Sequence, residues 1–422
     1  GGVRLFAIIA ALTLSACGTT ATTPPPPVVV ELPPQVPTPV EPVETPVIDE
    51  AVGLVPPHMA GRDAARIAIL LPFSSENAGA RAESLRLLRA AELALFERAG
   101  SNLLLIPKDT QGTADGARAA AMAAFEDGAD MIIGPLFGQS VTVVGQVARR
   151  ANIPVIAFST DTSTAGNGVY LLSFPPELEV ARVVEYASRQ GVQRYAYLGP
   201  QSRYGMAVNT ALRDNAGLTG AQLTAEAFYT GDVEAMASAS SRLARGVFEP
   251  ITPEEALVLR QSEWVPHPDA PFQAVMLPEG STRLRTLGPL LISQAVRFLG
   301  TGLWNDEDLL REPALHGGWF AGPDRASHER FEQSYEAAYG SRASNIASLG
   351  YDALALAAHL EGGELGFSRE AIENSEGFLG IDGLFRFSSS GVIERGLAIY
   401  EVQSRGFREI EPAPLTFDPL AY

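Results

Sequence analysis

The sequence predicts an α/β protein of two doubly wound lobes facing each other across a cleft, preceded by a disordered proline-rich tether. Three observations carry this: strands and helices alternate from Arg66 onward, the alternation restarts near Val180, and composition changes abruptly before residue 66. The 422 residues are two to three domains' worth, and a 46% hydrophobic content supports a sizeable core. With 31 Lys and Arg against 49 Asp and Glu, the net charge is -18, so no diffuse basic surface exists for a nucleic-acid backbone. Cys17 is the only cysteine, which excludes an intramolecular disulfide framework and any multi-cysteine metal site.

Residues 1–16 read as a signal peptide. An apolar run over residues 5–14 follows Arg4 and is too short to span a bilayer permanently, and Ser15 and Ala16 precede Cys17. Leu14-Ser15-Ala16-Cys17 resembles the lipobox at which bacterial lipoproteins are cleaved and acylated. The resemblance implies a lipid on Cys17, and Gly18 in place of an aspartate implies anchoring to the outer membrane on its periplasmic side. Residues 17–65 then form the expected tether: Pro24 to Pro27, Pro33, Pro34, Pro37, Pro39, Pro42 and Pro46 are interspersed with Glu31, Glu41, Glu44, Asp49 and Glu50. Such a stretch cannot bury enough apolar surface to offset its ordering entropy, and extends as polyproline II. Both a reach selected for holding a domain off its membrane and a passive spacer fit it.

The first lobe begins with Arg66-Ile67-Ala68-Ile69-Leu70-Leu71, a buried strand, followed by a helix with Leu85, Leu88, Ala91 and Leu95 on one face. Strands over 103–106, 131–133 and 154–157 alternate with helices over 114–127 and 140–150. A second series runs helix 180–190, strand 194–198, helix 205–215 and strand 222–228. Continuous apolar strands joined by helices imply parallel sheets covered on both faces. The pattern weakens over 246–271, around Trp264-Val265-Pro266-His267-Pro268, which reads as a surface insertion. Strands over 273–277, 296–299 and 319–322 follow, then a hairpin of 383–387 with 395–402 about the turn 388–391.

No G-x-S-x-G, H-E-x-x-H, P-loop or G-x-G-x-x-G occurs. The one lysine, Lys108, is preceded by Leu105 where an S-x-x-K motif needs serine. His58, His267, His316, His328 and His359 show no paired spacing and read as surface or satisfied residues. The expectation is a protein that is not an enzyme and needs neither metal nor cofactor.

Ile69-Leu70-Leu71-Pro72-Phe73, Ile133-Gly134-Pro135-Leu136, Ile153-Pro154-Val155-Ile156, Tyr204-Gly205, Leu349-Gly350-Tyr351-Asp352-Ala353 and the 383–402 hairpin together resemble a type I periplasmic binding protein domain over about residues 66–410. Late segments return across the cleft in that superfamily, so the resemblance implies a first lobe of about 66–172 with 319–378, a second of about 173–318 with 379–410, and a C-terminal tail, 411–422. Within it the chain is most similar to penicillin-binding protein activator lipoproteins (LppC/LpoA type), and next to substrate-binding proteins for branched-chain amino acids.

Ligands of open parallel sheets sit beyond the carboxyl ends of strands. Those ends place Phe73, Ser74, Ser75, Asp109, Thr110, Phe137, Gly138, Ser140, Ser159, Thr160 and Asp161 along the first lobe and Tyr204 opposite. Ser, Thr and Asp there are equally ordinary caps and turn formers. The amino-acid-binding relatives hold an α-carboxylate with hydroxyls and amides just after the third and fourth strands. Those positions fall near Gly138, which lacks a hydroxyl, and Asp161, which adds a negative charge. The resemblance therefore implies first a non-enzymatic, lipid-anchored periplasmic regulator that binds and activates a bifunctional penicillin-binding protein, a peptidoglycan synthase. The alternative is a substrate-binding lipoprotein of an ABC transporter for amino acids or a related small polar solute in the cleft.

Overall fold

A computed structural model describes residues 63–98, 102–244, 252, 254–255, 264–291 and 296–417. The expected signal peptide 1–16, Cys17, the expected tether as far as residue 62, most of 246–263 and the expected tail beyond 417 lie outside the described residues.

The first sheet comprises β1 (Ala65–Leu71), β2 (Leu103–Asp109), β3 (Met131–Ile133), β4 (Val155–Ala157) and β5 (Val169–Leu171), all parallel, in the order β2-β1-β3-β4-β5. Helices α1 (Ala78–Glu97), α2 (Ala114–Glu126) and α3 (Gly138–Ala151) connect its strands. From Ile67 to Leu71 the strand β1 is apolar at every position, because both faces are covered there. Its Ile67, Ile69 and Leu71 pack toward α1, while Ala68 and Leu70 meet the apolar faces of α2 and α3.

The second lobe starts with α4 (Pro176–Arg189), β6 (Arg194–Pro200), α5 (Arg203–Leu218), β7 (Gln222–Tyr229) and α6 (Val233–Ala244). It continues through β8 (Ala274–Met276), α7 (Ser281–Leu287), β9 (Arg297–Gly300) and β10 (Trp319–Gly322). The chain then returns to the first lobe as α8 (Arg325–Tyr339), α9 (Ala347–Glu361), α10 (Arg369–Ile372) and a three-stranded antiparallel sheet, β11 (Phe378–Gly380), β12 (Gly383–Phe387) and β13 (Ile393–Arg395). It crosses back once more as β14 (Ala398–Gln403) and β15 (Gly406–Glu411). These complete the second sheet in the order β15-β14-β10-β9-β8-β6-β7, parallel except for its last two strands.

Two parts of the expected lobe division differ from the structure. Residues 319–322 were expected to open the return to the first lobe, but Trp319 pairs with Leu299 on one side and Glu401 on the other, inside the second sheet. The return begins only at α8. Conversely, residues 379–395 were expected in the second lobe, whereas Phe385, Phe387 and Ile393 are buried in the core of the first. An apolar tetrapeptide such as Trp319-Phe320-Ala321-Gly322 fits either sheet, and only its hydrogen-bonding partners distinguish them. The expected hairpin is also split: β12 pairs with β13, and the chain then leaves at Gly396 so that β14 pairs with β10.

Packing of the returning helices depends on close approach. A Cβ on Gly350 would lie 2.2 Å from the Leu87 carbonyl oxygen, so glycine lets α9 settle directly on α1. This contact carries Leu349, Ala353, Leu354 and Ala357 into the same core as Leu87, Ala90 and Ala94.

Candidate functional site: the space between the lobes

The first-lobe strand ends hold most of the residues singled out from the sequence, and their side chains largely satisfy one another. Ser74 donates from Oγ to Asp109 Oδ2 at 2.5 Å and from its N–H to Oδ1 at 3.2 Å, and the Gln111 N–H adds a third donor at 2.8 Å. Burial pushes the Asp109 carboxyl up, but these donors outweigh it and hold it below the usual carboxylate range. Ser75 accepts from the Asn77 N–H at 3.2 Å, and Thr110 is buried with its N–H on the Leu71 carbonyl at 3.0 Å. Phe137, partly exposed, precedes α3 without a side-chain capping bond, and Ser140 is buried in that helix. Thr160 is exposed.

Gly138, Ser159 and Asp161 meet. A Cβ on Gly138 would lie 3.2 Å from Asp161 Oδ2 and 3.3 Å from Ser159 Oγ, so the absent side chain is what admits the Asp161 carboxylate over the start of α3. The Ser159 hydroxyl accepts the Asp161 N–H at 3.0 Å, and Asp161 Oδ1 accepts the Ser163 N–H and Oγ at 3.1 and 2.6 Å. From the second lobe, Arg203 Nη2 reaches Asp161 Oδ2 at 3.4 Å across the cleft mouth. The Ser163 hydroxyl foremost, then its N–H and Arg203, lower the Asp161 pKa against a smaller opposing effect of burial.

Tyr204 is different, because it lines a cavity of about 210 Å³ built from both lobes. Phe174, His328, Ile346 and Asp382 come from the first-lobe side, and Glu179, Gly302, Leu303 and Pro323 from the second. Tyr204 Oη and Thr301 Oγ1 hydrogen-bond at 2.7 Å. Glu179, 9% exposed, accepts the Gly302 N–H on Oε2 at 2.6 Å. Burial pushes its carboxyl up to about 8, against the lowering effects of the Gly302 N–H and Arg395. His328 donates from Nδ1 to Asp382 Oδ1 at 2.7 Å, and Ser348 Oγ donates to Asp382 Oδ2 at 2.6 Å. Burial alone would lower the His328 pKa, but the bonds to Asp382 and Glu332 win and raise it to about 10. Behind the Phe174 ring, the Arg395 guanidinium stacks at 4.3 Å and donates from Nε to the Ser173 carbonyl at 2.8 Å. Its Nη1 and Nη2 are buried without a hydrogen-bond partner among the described residues.

Of the twelve cleft positions read from the sequence, Tyr204 alone lines this cavity; the other eleven sit along the strand ends of the first lobe. Glu179, His328 and Asp382 escaped the sequence reading. Glu179 stands in the acidic first turn of a helix after Pro175-Pro176, where a carboxylate already complements the helix dipole. His328 and Asp382 lie 54 residues apart and meet only through the fold. Among the described residues, no group of three or more His, Cys, Asp or Glu is arranged to hold a metal ion.

Comparison with known proteins agrees with this architecture. A family model described as periplasmic binding protein matches residues 64–244. No curated protein sequence matches the chain. Among solved structures, a Rhodospirillum rubrum protein described as a branched-chain amino acid ABC transporter is 19% identical with a TM-score of 0.67, covering 82% of this chain and 100% of its own. A solute binding protein of an R. palustris ABC transporter, in complex with benzoate, is 16% identical with a TM-score of 0.56, covering 85% of this chain and 99% of its own. A leucine binding protein from Thermotoga maritima is 16% identical with a TM-score of 0.54, covering 82% and 97%. The described residues between 65 and 411 thus form a type I periplasmic-binding-protein fold, two lobes joined by crossovers near residues 173, 324 and 397.

Proposed function

We propose that the protein is a non-enzymatic, two-lobed receptor that takes a small solute between its lobes and presents it to an ABC transporter outside the cytoplasm. The observation that carries this is the cavity shared by both lobes, whose walls on either side include buried polar groups. Closure of one lobe on the other would enclose a ligand there, and differential contact with the closed form drives the closing. The solved structures that share the fold add support, since those described by what they bind hold leucine, isoleucine or aromatic acids. On this reading Cys17 carries the lipid anchor and residues 17–65 are its tether. Small-angle scattering of the protein with and without solutes, leucine and benzoate among them, tests it: a saturable decrease in radius of gyration with at least one solute is expected, and no change with any would contradict it.

A second reading, a regulator that docks on a peptidoglycan synthase, is favoured by one observation. The Asp161 carboxylate lies over the start of α3 and pairs with Arg203, where a free anion would otherwise be received. A glycan-polymerisation assay with the protein added to a purified bifunctional synthase tests it: stimulation that survives Asp161→Ala supports docking on an outer surface, and an unchanged rate excludes it.

A further inference from the structure

The charge on the cavity walls restricts what fits inside. Phe174, Pro176, Leu303, Pro323 and Ile346 give it an apolar body. The charged groups on its walls are mostly committed: Asp382 takes hydrogen bonds on both oxygens, from His328 and Ser348, and His328 uses its second ring nitrogen toward Glu332 at 3.5 Å. An anionic ligand would meet the carboxyls of Glu179 and Asp382 without any wall cation that has a donor to spare. A cationic one would meet His328 on the wall and Arg395 stacked behind Phe174. Either charge would be desolvated without a dedicated counter-ion. Glu179 is the exception among the ionisable wall groups: Oε2 accepts the Gly302 N–H, and the carboxyl makes no other hydrogen bond among the described residues. The carboxamides of Asn305, whose Oδ1 accepts from Arg325, and of the exposed Asn345 also line the cavity and can serve a neutral head group in the same way.

We propose that this interlobe cavity binds a small uncharged molecule with a compact apolar body and a head group, a hydroxyl or a carboxamide, that both donates and accepts a hydrogen bond, and that Glu179 reads that head. The inference rests on the receptor reading and names the substrate class of its site. Burial holds Glu179 protonated near neutral pH, so its carboxyl offers a donor and an acceptor side by side, the complement of a carboxamide edge or a hydroxyl. The groups around it are Glu177 on its own helix, Tyr204 on α5, Arg395 on β13, His328 on α8 and Asp382 in the turn between β11 and β12. None replaces that pair of functions: Tyr204 is spent on Thr301, and Arg395 does not line the cavity.

Calorimetry of the full chain at pH 7 with butyramide, 1-butanol, butyrate and butylammonium tests the proposal. The two neutral compounds should bind saturably and the two ions at least about 30-fold more weakly, since a buried polar site rejects a mismatched head by its desolvation cost. Glu179→Gln keeps a donor and an acceptor and should hold affinity within about threefold, whereas Glu179→Leu should lose about 30-fold or more. Thermal melts of both variants establish that they fold. Preference for butylammonium with loss in Glu179→Gln, preference for butyrate, or no binding by any of the four overturns the neutral-head assignment. The receptor reading is judged apart from these results, because it falls only if leucine and benzoate also leave the scattering profile unchanged.

Discussion

The strand ends of the first lobe and the cavity between the lobes use polar residues in opposite ways. At the strand ends, Ser74 donates to Asp109 and Ser163 to Asp161, so that each carboxylate is held chiefly by donors two to a few dozen residues away in the same lobe, with Arg203 adding a longer contact to Asp161 from the other. In the cavity, Glu179, His328 and Asp382 are brought together from separate crossings of the chain, and Glu179 keeps part of its hydrogen-bonding capacity uncommitted. The difference teaches where to look for recognition in a fold of this kind. Polar residues in the connecting loops mainly hold the loops, and polar residues buried where two lobes meet must have a reason to be desolvated.

The contrast breaks most sharply at Asp382. Removing it in Asp382→Ala leaves the protonated His328 buried with only Glu332 and strips Ser348 of its acceptor, which should cost about 3–5 kcal/mol in denaturant unfolding and return His328 toward ordinary titration. A loss below about 1 kcal/mol would mean that the cluster is wetter than its burial implies.

A smaller effect comes from pH. Glu179 titrates at about 8 in the folded protein against an ordinary 4.5, so its folded form holds the proton more tightly and stability falls as the pH rises from 4.5 through 8. His328, raised from 6.5 to about 10, contributes stability fully present below 6.5 and lost as the pH climbs through 10. The two slopes share a sign, and urea midpoints should decline between pH 5 and pH 9 by an amount equivalent to a few kcal/mol. Glu179→Gln should make the lower half of that decline shallower, with the buried Asp352, whose carboxyl burial pushes up to about 7, keeping part of it, and should change the upper half less.

The strand ends should respond less. Ser74→Ala removes the hydroxyl donor but leaves two backbone donors on Asp109, and is expected to cost about 1 kcal/mol by urea unfolding. Arg203→Ala is expected to change stability by less than about 0.5 kcal/mol, because the Arg203 side chain is 90% exposed and its bond to Asp161 is screened. If Arg203→Ala instead altered solute affinity tenfold while Glu179→Leu did not, the mouth of the cleft and not the cavity would be the recognition site.

Much of the architecture was legible in the residues because buried parallel strands must be apolar throughout. The segment 66–71 reads as a strand, and its alternating faces meet α1 on one side and α2 with α3 on the other. The short strand β5 was missed: Val169-Tyr170-Leu171 stands among Gly166, Gly168 and Ser173, and its pairing with β4 alone makes it a strand. The lobe boundaries failed at β10 and at β11–β13 for a related reason, since local apolarity says that a segment is buried and not in which sheet. The twelve cleft positions followed from a rule about strand ends, which finds loops correctly and cannot tell a loop's own hydrogen bonds from those offered to a ligand. Glu179 could have been flagged only by its burial, a property of the folded chain.

The central claim, that recognition is carried out in the cavity between the lobes, is tested most directly by measuring solute affinity in Glu179→Leu and Asp161→Ala side by side with the native protein. A loss of about 30-fold or more is expected in the first and less than about threefold in the second. Equal affinities in Glu179→Leu and the native protein, with a large loss in Asp161→Ala, would contradict it.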